Sequence, residues 1–212
     1  MDDTVKTIDY KGFEIKIKVD DMDFETPRDW DNLGTMVCFH NNYSLGDKTE
    51  LESSMFDDFE DLKNYLKEKE EAFIIIPLYL YDHSGITMNT TGFSCGWDSG
   101  QVGFIYTTKE KIRECFGVKL CRKEIVEKAM EVLQREVKVY DDYLRGNVYG
   151  FVTFKDGEEE SIDSCWGFYG DYDSDDSQIV IEAKSCIDYE IERRNKKASF
   201  SQAVQLNKLI AC

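Results

Sequence analysis

The chain has 212 residues, enough to bury a core of ordinary size without disulfide or metal staples. Asp and Glu number 43 against 26 Lys and Arg, a formal net charge of -17, which argues against binding free nucleic acid and leaves two readings, acidity for solubility or a basic partner. The longest apolar run, 72–81, falls well short of the ~20 residues a membrane-spanning helix needs, the N-terminal MDDTVKTIDYKG has no signal-peptide pattern, and seven scattered cysteines suit a reducing compartment, so a soluble cytoplasmic protein without membrane partners is expected.

TVKTIDY and FEIKIKV alternate apolar and polar residues around Lys11 and Gly12, which predicts a hairpin over Val5 to Val19. Asp20, Asp21 and Asp23 lead into PRDWDNLG, where Pro27 presets a turn and Trp30 supplies an apolar anchor. Thr35 to His40 reads as a third strand, ended by Asn41, Asn42 and Gly46. Ser54 and Asp57 carry the spacing of a capping box, and Met55, Phe59, Leu62 and Leu66 share a face of the helix that follows. Ala72 to Tyr81 and Gln101 to Thr107 read as buried strands flanking a glycine-rich middle that carries His83, Cys95, Trp97 and Asp98.

A second capping box at Thr107 and Glu110 predicts a short helix that stops at Gly117. The clearest helix spans about Arg122 to Leu144, with Val126, Met130, Leu133, Val137, Tyr140 and Leu144 as its stripe and Gly146 as its stop. Asp156 and Gly157 join two further strands, Val148 to Phe154 and Ser161 to Tyr169. A last helix begins near Ser177 and runs, with a break near Ser199, to Ile210. Its stripe is Ile179, Ala183, Ile187 and Ile191, and Arg193, Arg194, Lys196 and Lys197 form a basic cluster. Hairpins mixed with helices, without βαβ repeats, predict an α+β fold: a mainly antiparallel sheet covered by three or four helices, in one domain with a C-terminal helical segment.

Cys38 and His40, two apart on a strand, would project to one face, and the glycines at 85, 92 and 96 could fold His83 and Cys95 toward them. Two cysteines and two histidines, with Asp82 and Asp98 as spare carboxylates, make a candidate Zn2+ site. The alternative is buried cysteine acting as a small hydrophobe, since no CxxC or HxxxH spacing supports the metal. Asp171, Asp173, Asp175 and Glu182 match positions 1, 3, 5 and 12 of a calcium loop, but the glycine such a loop needs is replaced by Asp176, which favours a solvated acidic turn able to present charge to a partner. A cysteine nucleophile at Cys95 or Cys38 is possible in residue type only. Trp30, Trp97 and Trp166 sit in glycine-bearing loops, as plugs of the core or as a wet aromatic surface.

The blocks WDNLGTMVCFH, PLYLYDHSGITM, FSCGWDSGQVGFIY, DDYLRGNVYGFV, DSCWGFYG and EAKSCIDY span most of the chain. In them the sequence resembles an uncharacterised protein family carried by tailed phages and mobile elements of Gram-positive bacteria. The resemblance implies a mobile-element protein acting in the cytoplasm of the bacterial host. Acidic proteins of that origin include type II-A anti-CRISPR proteins, and a zinc-containing one would suit the Cys–His constellation.

The expected function is therefore a non-catalytic inhibitor that binds a host defence nuclease, a type II CRISPR effector with a basic nucleic-acid channel, and blocks target DNA. Asp171, Asp173, Asp175 and Asp176 are its candidate partner-binding residues. The alternatives are a metal-dependent hydrolase using His40, His83 and Asp98, and a structural accessory protein without a defence target.

Overall fold

The structure, a computed structural model, describes residues 3–21 and 26–210, with side chains through residue 200. Asp23, grouped above with Asp20 and Asp21, lies outside the described residues. The fold is α+β, with four α-helices and two antiparallel four-stranded sheets among the described residues. The sequence reads as one domain, whereas the structure falls into two compact units: residues 1–22 with 147–212, and residues 23–146. One unit is assembled from both ends of the chain, so no linker marks its boundary in the sequence.

In that discontinuous unit, β1 (Thr4–Tyr10) and β2 (Phe13–Val19) form the predicted hairpin. Lys11 (φ 53°) and Gly12 (φ 80°) supply the left-handed pair whose twist matches the strands. Antiparallel pairing of β2 with β7 (Val148–Lys155), and of β7 with β8 (Ser161–Tyr169), gives the order β1-β2-β7-β8. Phe13, Ile15 and Ile17 are buried while the residues between them are not, as a period of two requires. They pack with Phe151 against Ile179, Val180, Ala183 and Ile187 of α4 (Gln178–Ile210). The expected break near Ser199 does not occur: α4 runs on through it, and the serine hydroxyl donates to the Asn195 carbonyl one turn back (2.9 Å), which a helix accommodates. Glu190 pairs with both Arg193 and Arg194 at 2.7 Å, and Lys196 with Glu192, so part of the basic cluster is neutralised within its own helix.

The second unit holds β3 (Thr35–Cys38), α1 (Phe59–Lys69), β4 (Ala72–Asp82), β5 (Ile86–Asn89), β6 (Ser99–Thr108), α2 (Lys109–Phe116) and α3 (Lys123–Leu144). Its sheet order is β3-β6-β4-β5, which makes β6 an inner strand buried from Val102 to Thr107. One face, including Ile74, Ile76, Leu78 and Ile105, packs on Ala129, Leu133, Val137 and Tyr140 of α3. Phe104, Tyr106 and Val37 on the other face pack with Leu62 and Leu66 of α1. A strand covered on both faces reads as a continuous apolar run, as QVGFIYT does. No helix among the described residues is long and apolar enough to cross a membrane.

Local signals shifted by a few residues. The N-cap of α1 is Asp58, whose carboxylate accepts from the amides of Glu60 and Asp61 at 2.9 Å, while 53–55 form a 3-10 turn and Met55 is exposed. Thr108 caps α2 by accepting from the Lys111 amide, and Gly117 closes that helix at φ 62°. Along α3, Met130 is exposed and Ala129 takes the buried place. The carboxylate of Asp141 ties α3 to β5, accepting from the Thr87 hydroxyl (2.6 Å) and the Met88 amide (2.7 Å).

Gly103 marks the closest approach of β6 to β3. A Cβ there would stand 1.9 Å from the Val37 carbonyl oxygen and 2.9 Å from the Cys38 Cα. Gly103→Ala should therefore force the two strands apart and cost about 2 kcal/mol or more. Urea denaturation measures it, and an unchanged midpoint would show that the pair opens without loss.

Candidate functional site

A cleft of 430 Å3 lies where β4 ends and β6 begins, walled by residues 39–42 that follow β3. The ladder runs one step past the strands, because the Asp82 amide donates to the Asp98 carbonyl at 2.8 Å. That bond seats Asp82 and Asp98 side by side on the cleft wall with Trp97 next to them, and the indole is 97% exposed. Asn89 shapes the intervening loop, its side-chain Oδ1 accepting from the amides of Thr91 and Gly92. The Ser99 hydroxyl donates to the Cys95 carbonyl and closes the turn.

Both carboxylates already have polar neighbours. Tyr43 donates to Asp82 Oδ1 (3.2 Å), and burial together with this carboxylate holds the phenol above its ordinary pKa, so it stays a donor. Asp98 Oδ2 lies 3.3 Å from His83 Nδ1 and accepts from Cys95 Sγ at 3.8 Å. His40 stacks on Tyr43 at 4.9 Å and accepts the Asn42 amide at Nδ1, which places the proton of its neutral form on Nε2. Among the described residues, the cleft walls carry Asn41, Asn42 and Gln101 but no lysine or arginine. Such a site attracts cations and repels phosphates.

Among the described residues, the four expected zinc ligands do not gather into one group. β3 stops at Cys38, so His40 lies beyond the strand, and the two residues line one cavity beside the cleft. Cys38 packs beside Gly46, whose added Cβ would lie 3.3 Å from its Sγ, and burial pushes its thiol up to about 12. His83 and Cys95 turn to the same Asp98 oxygen. Among the described residues, no three His, Cys, Asp or Glu are placed to hold a metal ion. A thiol held near 12 is also a poor nucleophile at neutral pH, which weakens the Cys38 version of cysteine catalysis.

Around the acidic turn, Asp171 Oδ1 accepts from the amides of Asp173 and Ser174, and Glu182 lies within α4. Asp173 pairs with Lys6 at 3.1 Å and Asp175 with Lys184 at 3.6 Å. All four aspartates, Asp171, Asp173, Asp175 and Asp176, are exposed. The tryptophans do not plug the core: Trp30 is 49% and Trp166 44% exposed, the latter lying across Gly150.

Sequence reasoning missed the most buried charge cluster. Arg28, its side chain 2% exposed, bonds Asp47 through Nε (2.6 Å) and Nη2 (3.1 Å), Glu136 through Nη1 (3.3 Å), and the Gly34 carbonyl (2.7 Å). Burial pulls the guanidinium pKa down, and Asp47 and Glu136 more than reverse that, leaving it raised. Glu136 also accepts from the Leu33 and Gly34 amides, and Asp47 from the Met36 amide. Its one legible sign was an acid at 136 inside the stripe of Leu133, Val137 and Tyr140. The cluster is a clamp that fixes the 28–47 loops on α3.

The fold thus defines a two-sheet α+β protein with an acidic, aromatic cleft. The chain matches no protein-family model, no curated protein and no solved structure.

Proposed function

We propose that the chain is an acidic inhibitor that docks on the basic, nucleic-acid-handling channel of a host defence nuclease and blocks loading of target DNA. The phage-family resemblance directs this reading to the type II RNA-guided effector, whose heteroduplex lies in a positively charged channel. The observation that carries it is charge: each compact unit is acidic, with 19 acids against 11 bases in the unit 1–22 with 147–212, and 24 against 15 in the unit 23–146. Complementary potential speeds encounter and makes it salt-dependent. In a gel-shift assay, guide-loaded nuclease mixed with the protein should lose its target DNA, and the association rate should fall as salt rises. Full DNA loading at low salt with excess protein overturns the reading.

The acidic turn contributes through long-range attraction. Reversing Asp171, Asp173, Asp175 and Asp176 to lysine should slow association by about tenfold, while the melting temperature stays near that of the parent, because exposed pairs such as Lys6–Asp173 contribute little to stability. Stopped-flow association at low ionic strength measures the first effect. An unchanged rate would remove this turn from the interface.

A further inference from the structure

The geometry points to the cleft at Asp82, Trp97 and Asp98 as a receptor for an arginine side chain of a basic partner protein, its guanidinium stacked on the Trp97 indole and paired to the two carboxylates. This rests on the binding role proposed above and names the chemistry of its contact.

Three observations meet here. An indole 97% exposed at the mouth of a cleft offers a large apolar face to a partner, and tryptophan in that setting is a typical anchor of protein interfaces. Asp82 and Asp98 share the same wall, fixed side by side by the backbone bond between them, and among the described residues no lysine or arginine lines the cleft to neutralise them. Among the described residues, their present partners, the Tyr43 hydroxyl on Asp82 Oδ1 and His83 and Cys95 on Asp98 Oδ2, leave the second oxygen of each carboxylate open to a further donor.

The charge pattern selects the occupant. A phosphate or nucleic-acid strand meets two carboxylates and is repelled. A bare metal ion lacks three converging ligands among the described residues. Between the two basic side chains, arginine is the better fit, because its planar guanidinium can stack on an indole while its five N–H donors reach two carboxylates and a neighbouring amide oxygen at once. Lysine brings the same charge as a point and can do neither well. Asn41, Asn42 and Gln101 supply amide acceptors along the wall, and Phe39, Leu80 and Val102 supply apolar surface for the methylene stem.

The test uses the full chain with blocked tripeptides, acetyl-Gly-Arg-Gly-amide and its lysine counterpart. The Trp97 indole N–H resonance, assigned by its loss in Trp97→Phe, should shift on titration with the arginine peptide, and the lysine peptide should bind several-fold more weakly. Asp82→Asn with Asp98→Asn should weaken the arginine peptide by about tenfold or more, and Trp97→Ala should abolish the preference for arginine over lysine. Circular dichroism controls for folding, which exposed Trp97 should leave intact. Equal binding of the two peptides, or arginine binding untouched by these variants, overturns the proposal. The same variants mixed with guide-loaded nuclease separate the two readings: arginine recognition without nuclease binding keeps the cleft and discards that target, whereas nuclease binding indifferent to Trp97→Ala and to the double variant discards the cleft alone.

Discussion

Arg28→Ala should destabilise the unit that carries it by about 3 kcal/mol or more. The substitution removes four hydrogen bonds and leaves Asp47 and Glu136, whose side chains are 22% and 11% exposed, with no cation between them. Breaking a buried pair from one side costs more than the pair itself contributes, because the remaining charges stay desolvated. Arg28→Lys should fall between the two, since an ammonium keeps the charge but cannot grip Asp47 through two nitrogens while also reaching the Gly34 carbonyl. For a chain of this size the loss in Arg28→Ala corresponds to a melting temperature lower by roughly 6–12 °C. Differential scanning calorimetry measures it, and a variant melting with the parent would show that water already screens the cluster.

Leu133→Asp should be at least as damaging, about 3 kcal/mol or more, because it puts a carboxylate at a position with no exposed surface. Leu133 is packed on Gly34, where an added Cβ would stand 2.6 Å from both Leu133 Cδ2 and Ile105 Cδ1. Gly34 is thus the joint between the apolar core and the charge clamp: its carbonyl accepts from Arg28, its amide donates to Glu136, and its missing side chain makes room for Leu133. Leu133→Ala combined with Arg28→Ala should then lose a stability different from the sum of the single losses, since both act on Gly34. Urea denaturation of the two single variants and the pair reads this coupling, and strict additivity would show that clamp and core act independently.

Most elements were legible in the sequence because their signals are local. The Lys11–Gly12 turn, the alternation of FEIKIKV, the stripe of α4 and the glycines after α2 and α3 each depend on neighbours within a turn or a hairpin. The caps lie a residue or a few from the sequence signals, since Asp58 and Thr108 compete with equally suitable neighbours and only the path of the chain chooses between them. The short strand β5 has no signal of its own in the sequence, because Ile86–Asn89 is held by pairing with β4 and by the Asp141 carboxylate, neither of which leaves a pattern in four residues.

By itself the sequence determined the α+β class, the two terminal hairpins, the long helices and the acidity of the chain, all of which follow from composition and short-range periodicity. Tertiary structure alone decided that the terminal hairpins join into one sheet, with Ile17 opposite Phe151, while the middle of the chain builds another. It also set His83 and Cys95 on one oxygen of Asp98, and it brought Arg28 to Glu136. These pairings join residues far apart in the chain, where any acid would satisfy any base, so the choice falls to which backbones the packed cores bring within reach.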